Sequence, residues 1–230
     1  MKISIVIPFY NEEENVETLL QEILECQPQA EIIAVDDGST DGTAKKIKRF
    51  RKVRLLSMGR NLGQSAALYY GLHAATRPIC VMLDGDGQND PHDIKKLLQH
   101  IGSHDLVCGV RAHRQDSTFR KIASRLANAI RRCMLADGAS DTGCTLKAMK
   151  REHVKHLIPF NGLHRYLPAL LKSAGLKITE VPVHHRPRQY GVSKYTVAGR
   201  ALRGIYDLIG VRWYLSRHIL WKKDPYHYEQ

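Results

Sequence analysis

The sequence is poor in cysteine, and none of its cysteines are paired. Cys26, Cys80, Cys108, Cys133 and Cys144 are scattered without a C-x-x-C spacing. This excludes a zinc ribbon or a disulfide framework and fits reduced thiols in a cytosolic compartment. Long apolar runs are also missing. The N-terminus, MKISIVIPFYNEEE, turns acidic before its hydrophobic stretch reaches signal-peptide length, and nothing approaches the ~20 apolar residues of a spanning helix. A soluble or peripheral protein is expected. There is no internal repeat, low-complexity tract or linker that would divide the chain. Acidic residues are the scarcer charge, 23 against 35 Lys and Arg, which leaves a net +12. Such an excess points to an anionic partner, whether nucleic acid, phosphorylated substrate or lipid headgroup, unless the basic surface is functionally neutral. No recognisable nucleic-acid module or aromatic stacking platform accompanies the charge, so nucleic acid is the weakest of the three.

The chain has 230 residues, 43% of them hydrophobic and 25% charged, enough for one substantial core. β-rich runs stand at Ile3–Ile7, Ile32–Val35, Val53–Leu56, Ile79–Leu83 and Leu106–Val110. Helical stretches at Glu12–Cys26, Asp41–Phe50, Leu62–Ala75 and Pro91–Ile101 separate them. Apolar strands alternating with amphipathic helices predict an α/β fold, a doubly wound and mainly parallel sheet with flanking helices. Ligands bind such sheets beyond the carboxyl ends of the strands. Asn11, Asp36 and Asp37, Asp84 and Asp86, and Arg111 follow strands one, two, four and five. In the second half, Ser117–Leu135 has helical spacing, with Phe119, Ile122, Leu126, Ala129, Ile130 and Cys133 as the apolar face and Arg120, Lys121, Arg125, Arg131 and Arg132 opposite. A strand at Gly143–Ala148, two small helices, a strand at Leu176–His184 and a helical tail at Val197–Trp221 follow.

The segment VMLDGDGQNDP places Asp84, Asp86 and Gln88 at alternate positions after a buried strand. Oxygen-bearing side chains crowded there call for a hard divalent cation, Mg²⁺ or Mn²⁺, shared with substrate phosphates. The glycines Gly85 and Gly87 leave room for a close ligand. The plain alternative is an acidic turn capping the next helix; an EF-hand is excluded because its twelfth-position Glu is absent. In VDDGSTDGT, Ser39, Thr40 and Asp41 supply capping chemistry. The adjacent Asp36 and Asp37 exceed what a cap needs, and a carboxylate there can hold a base or ribose.

Taken together, VIPFYNEEENV, VDDGSTDGT, GRNLGQSAAL and LDGDGQNDP resemble the family-2 glycosyltransferases of the GT-A (nucleotide-diphospho-sugar transferase) fold. D-x-D-x-Q with a following Pro, and the later RQYGVSK, resemble the polyprenyl-phosphate sugar transferases within it; the similarity runs from about Ile3 to Tyr195. The resemblance implies a catalytic domain over 1–195; the basic amphipathic tail expected over 196–230, without a transmembrane segment, departs from the many relatives that continue into one or two. It implies that Pro8, Tyr10, Glu12, Val35, Asp37, Asp84, Gly85 and Asp86 bind the nucleotide-sugar, together with Arg188 and Lys194. Asp84, Asp86 and Gln88 would hold the metal. Asp86, Arg111, Arg188 and Lys194 would be catalytic, and Arg111, Arg120, Arg131 and Ser193 would face the acceptor.

The expected reaction is inverting, metal-dependent transfer from a nucleotide-sugar (GDP-mannose or a UDP-sugar) to a polyprenyl or dolichyl phosphate. Cationic groups would stabilise the leaving diphosphate, and an acceptor phosphate that is already ionised needs no strong base. His164, His184 and His185 lack metal-ligand spacing and read as structural or surface residues. The rival is a family-2 enzyme acting on a saccharide or other hydroxyl acceptor, with Asp141 in SDTGC as general base. A cytoplasmic protein peripheral on an anionic membrane face is expected, its tail lying on the bilayer or packing as a helix on the domain or a dimer partner. A homo-oligomer is compatible with the sequence.

Overall fold

The computed structural model describes residues 1–111, 128–187 and 197–217, side chains of 197–203 excepted. The first half alternates as expected: β1 (Ile3–Phe9), α1 (Glu13–Cys26), β2 (Glu31–Asp36), α2 (Thr43–Ile47), β3 (Val53–Ser57), α3 (Gln64–Ala74), β4 (Ile79–Met82), a 3₁₀ turn (Pro91–Asp93) leading into α4 (Ile94–His100), and β5 (Leu106–Arg111). Then come β6 (Lys147–Lys150), a 3₁₀ stretch (Arg151–His156), α5 (Leu163–Ser173), β7 (Ile178–Val183) and α6 (Val197–Arg217). They form one seven-stranded sheet ordered β3-β2-β1-β4-β6-β5-β7. All pairs are parallel except those of β6, which is antiparallel to β4 and β5. The carboxyl ends of the six like-directed strands, and the entry to β6, therefore share one edge.

Burial on both faces explains why the strands read as unbroken apolar runs. In β1 every residue is buried. Ile3, Ile5, Ile7 and Phe9 pack with Val16, Leu20 and Ile23 of α1 and Ile94 and Leu97 of α4. On the other face Val6, Val35 and Met82 meet Ala67, Leu68 and Leu72 of α3, with α5 and Leu208 and Val211 of α6 completing that layer. α3 comes down close on the sheet because a Cβ at Gly71 would lie 2.4 Å from Val6 and 2.9 Å from Val35. An alanine there would force helix and sheet apart.

Two expectations are corrected. β6 begins at Lys147, not Gly143, because Gly143 lies under the Arg111 guanidinium, 2.9 Å from the position its Cβ would take. In the helical residues 128–135 the expected faces hold only for Arg132, which is exposed: Ala129, Ile130 and Cys133 are exposed as well, whereas Arg131 and Leu135 are buried. The reason is electrostatic. The Arg131 guanidinium is held inside by the Asp137 carboxylate and the Ala139 carbonyl, and this turns the apolar face outward. Residues 117–127 and 218–221 of the two expected helices lie outside the described residues. Among the described residues no helix is long and apolar enough to cross a membrane.

Candidate active site

The chain leaves β4 into a closed turn. The Asp84 N–H donates to Asn89 Oδ1 (3.0 Å), and the Gln88 N–H donates to Asp86 Oδ1 (3.1 Å). Gly87 has φ +72° with open space where a Cβ would stand, whereas the missing Cβ of Gly85 is replaced by the Phe9 ring and the Pro8 carbonyl, each 2.6 Å away. The two expected ligand-facing glycines therefore differ. Gly85 seats the turn on the end of β1, and only Gly87 leaves free room. Burial, reinforced by the neighbouring Asp86 charge, pushes the Asp84 carboxyl up to about 7, against the opposing effects of Thr145, Lys147 and Arg111. Gln64 Nε2 donates to Asp84 Oδ1 at 2.6 Å. Two neighbouring carboxylates next to a glutamine amide form a hard-oxygen set that suits Mg²⁺ or Mn²⁺.

The loops after β1 and β2 are tied together beside this turn. The Asn11 N–H donates to Ser39 Oγ (3.0 Å), and its Oδ1 accepts from the Thr40 N–H (2.8 Å). Asn11 adopts φ 51° in doing so, a left-handed conformation that asparagine tolerates better than most residues. The Glu12 N–H donates to Thr43 Oγ1 (2.9 Å), and Glu12 Oε2 accepts from Asn15 (2.6 Å). Asp37 accepts from the Leu62 and Gly63 N–H groups, 2.8 Å each. Burial still outweighs those two bonds and raises its pKa. Asp37 thus shapes the loop that delivers Gln64. Pro8, Tyr10, Glu12 and Asp37 share this edge with Asp84 and Asp86. Val35 is in register with Pro8, but its side chain is fully buried and faces α3, where it would contact a Cβ at Gly71, so the side chain packs in the core and not in the mouth.

From β5 comes Arg111. Its Nε and one terminal nitrogen fork onto both oxygens of Asp141, 2.7 Å each, and its N–H reaches the same carboxylate at 3.3 Å. Lys147, fully buried at the start of β6, donates to the Cys144 carbonyl. Burial holds the His164 imidazole down to about 3. It is therefore neutral beside Ser65, whose Oγ lies 2.9 Å from Nδ1, and it serves as a structural group. Arg131, expected to face the acceptor, is 7% exposed and committed to Asp137, which removes it from that surface. Arg120, Arg188, Ser193 and Lys194 lie outside the described residues. Gln64 and Lys147 were not singled out in the sequence. Gln64 falls within GRNLGQSAAL, but that motif assigns no role to its amide, and a lone lysine in a strand carries no motif; only the fold places the two beside Asp84.

A model of the family described as "Glycosyl transferase family 2" matches residues 4–158. Among curated proteins, the undecaprenyl-phosphate 4-deoxy-4-formamido-L-arabinose transferase of Yersinia enterocolitica is 36% identical over 219 residues, covering 90% of this chain and 66% of that protein. The protein of the same name from Pectobacterium carotovorum is 34% identical over 217 residues, with the same coverage. The chain thus spans slightly less than two thirds of the length of these relatives. Among solved structures, glucosyl-3-phosphoglycerate synthase from Mycobacterium tuberculosis with phosphoglyceric acid superimposes with TM-score 0.71 at 21% identity, over 93% of this chain and 79% of that one. The same enzyme with Mn²⁺, UDP and phosphoglyceric acid gives TM-score 0.71 at 20% identity, over 95% and 79%. The architecture is that of the GT-A glycosyltransferases.

Proposed function

Because this chain belongs to glycosyl transferase family 2, we propose that it moves a sugar from a nucleotide-sugar donor to a polyprenyl phosphate with inversion at the anomeric carbon. One observation carries the choice of acceptor. A hydroxyl acceptor needs a base, and the carboxylate suited to that role, Asp141, has both oxygens engaged by Arg111 at 2.7 Å. A phosphate acceptor is ionised near neutral pH, with a second pKa of about 6, and needs no base. An arginine held in a fixed plane is the group to orient it. The printed names of the curated relatives, undecaprenyl-phosphate transferases, support the same acceptor class.

In this reading Asp84, Asp86 and Gln88 hold Mg²⁺ or Mn²⁺, which when bound neutralises charge on the donor diphosphate. Gln64 orients Asp84. Pro8, Tyr10, Glu12 and Asp37 cradle the nucleoside. Asp141 fixes Arg111 toward the two phosphates. Arg188 and Lys194 offset negative charge on the leaving nucleotide, and Arg120 and Ser193 assist the acceptor. The catalytic unit is 1–195. The tail meets a membrane: Ile205, Ile209 and Trp213, at four-residue spacing on α6 with Tyr206 beside them, are 57–80% exposed opposite the buried Leu208 and Val211. An apolar stripe on a chain of net charge +12 suits an anionic bilayer surface, on the cytoplasmic face.

The test is turnover with a panel of nucleotide sugars and a short polyprenyl phosphate, with Mn²⁺ or Mg²⁺ and with EDTA. Metal-dependent formation of a lipid-phosphate sugar is expected. Donor binding with no lipid product from any sugar would move the acceptor to soluble hydroxyl compounds.

A further inference from the structure

The chain leaving β7 is fastened to the Asp84–Gln88 turn by main-chain bonds. Asn89 and His185 form an antiparallel bridge. The Arg186 N–H donates to the Gln88 carbonyl (2.8 Å), and Gln88 Nε2 returns a bond to the Arg186 carbonyl (3.4 Å). The Arg186 guanidinium extends onward to α1. Two of its nitrogens bind the two Glu22 oxygens at 2.8 and 2.7 Å, and one also reaches Asp90 Oδ1 at 2.9 Å. His92 Nδ1 is 3.0 Å from the same Asp90 oxygen. The ligand atoms of Glu22, Asp90 and His92 lie within 4.8 Å of one another, an acidic cluster that the arginine neutralises. The guanidinium is held more firmly protonated than usual, chiefly by the Glu22 bonds.

We infer that Arg186 is a positioning residue that sets the Asp84–Gln88 turn in its cation-holding shape by pinning Gln88 and Asp90 to α1. The inference rests on the proposed roles of Asp84, Asp86 and Gln88. Its physical basis is the fork. A planar guanidinium can satisfy Glu22 and Asp90 together, whereas an ammonium supplies a single point of charge. With the fork gone, two carboxylates repel across the gap. Gln88 stays bonded to the Arg186 main chain, but that segment is no longer tied to α1, so the anchor that holds Gln88 near Asp86 is weakened. Groups that orient metal ligands in this way commonly change affinity by ten- to a hundredfold.

The measurement is Mn²⁺ affinity, read from the electron paramagnetic resonance of free ion with nucleoside diphosphate present, for the whole chain. The variants are Asp86→Asn, Glu22→Gln, Arg186→Ala and Arg186→Lys, with thermal melts alongside. Glu22→Gln preserves side-chain shape and so remains informative if Arg186→Ala does not fold. The expected result is loss of binding in Asp86→Asn, roughly tenfold weakening in Glu22→Gln and Arg186→Ala, and an intermediate value in Arg186→Lys. If Glu22→Gln and any folded Arg186→Ala bind as tightly as wild type while Asp86→Asn does not, the positioning role is overturned and the metal site stands. If Asp86→Asn also binds like wild type, the turn is not the metal site, and both ideas fall together.

Discussion

Asp141→Asn separates the two acceptor chemistries, and its consequences can be worked from the Arg111 fork. The side chains of Arg111 and Asp141 are 17% and 8% exposed, so the pair is shielded from solvent but not sealed. Removing one partner of a fully buried pair costs about 3–5 kcal/mol. Asparagine keeps one acceptor oxygen and Arg111 keeps an edge to water, so a loss of about 2–3 kcal/mol is expected. For a chain of this size that lowers the melting temperature by roughly 4–12 °C. With its plane released, Arg111 should hold a phosphate acceptor less well, raising the acceptor KM about tenfold, with a smaller change in kcat. The assays are thermal unfolding and steady-state kinetics with the acceptor varied at several pH values. A general base would behave in the opposite way. If kcat fell by about a hundredfold or more with melting temperature and acceptor KM unchanged, and the basic limb of the pH profile vanished, the case for a phosphate acceptor would fail.

Three other predictions follow from the geometry. Asp105 accepts from Lys150 Nζ at 2.7 Å, the Lys177 N–H at 2.8 Å and His153 at 3.2 Å. Burial would raise its pKa, but these bonds outweigh it and hold the group at about 2, against 3.8 when free. Because the folded pKa is depressed, the stabilisation is present above the unfolded value and fades as pH falls from about 4 toward 2. Urea titrations should find Asp105→Asn about 2 kcal/mol less stable than wild type at pH 7, and the gap should close in acid. Gly85→Ala drives a methyl into Phe9 and the Pro8 carbonyl; a loss of about 1–3 kcal/mol and weaker Mn²⁺ binding are expected by melting and resonance titration. Trp213→Glu and Ile209→Glu alter exposed positions. They should leave the melting temperature within about 2 °C while reducing co-sedimentation with anionic-lipid vesicles; unchanged sedimentation would refute a membrane role for α6.

Much of this arrangement was legible in the sequence where the local signal is strong. The starts of β1, β3, β4 and β5 fall at Ile3, Val53, Ile79 and Leu106, as the apolar runs indicate, because strands covered on both faces need no alternation to betray them. The edge shared by Asn11, Asp37, Asp84 and Arg111 follows from the same runs. The misreadings arise where a partner or the facing layer, and not the spacing, decides where a side chain goes. Arg131 was placed on a polar face by spacing, yet Asp137 draws it inward and leaves Ile130 outside. Val35 shares a strand with Asp36 but points to the opposite layer. Asp105 sits in an unremarkable GSHD turn, and its donors arrive from positions 150, 153 and 177. The sequence offers no way to see that convergence.

The place of β6 bears on how the molecule comes into being. Strands β3, β2, β1 and β4 can pair once the chain has been synthesised as far as Met82, since all their mutual neighbours precede that point. β5 cannot join them. The slot between β4 and β5 belongs to a strand some forty residues younger, and β7 on its far side is younger still. During synthesis, therefore, β4 presents an open edge to solvent until Lys147–Lys150 arrives. Insertion of that one reversed strand closes the edge, delivers Lys147 and Thr145 to Asp84, and brings β5 and its arginine into register. Assembly of the reactive end and completion of the sheet are the same event, so a ribosome-bound chain that stops short of β6 should bear neither.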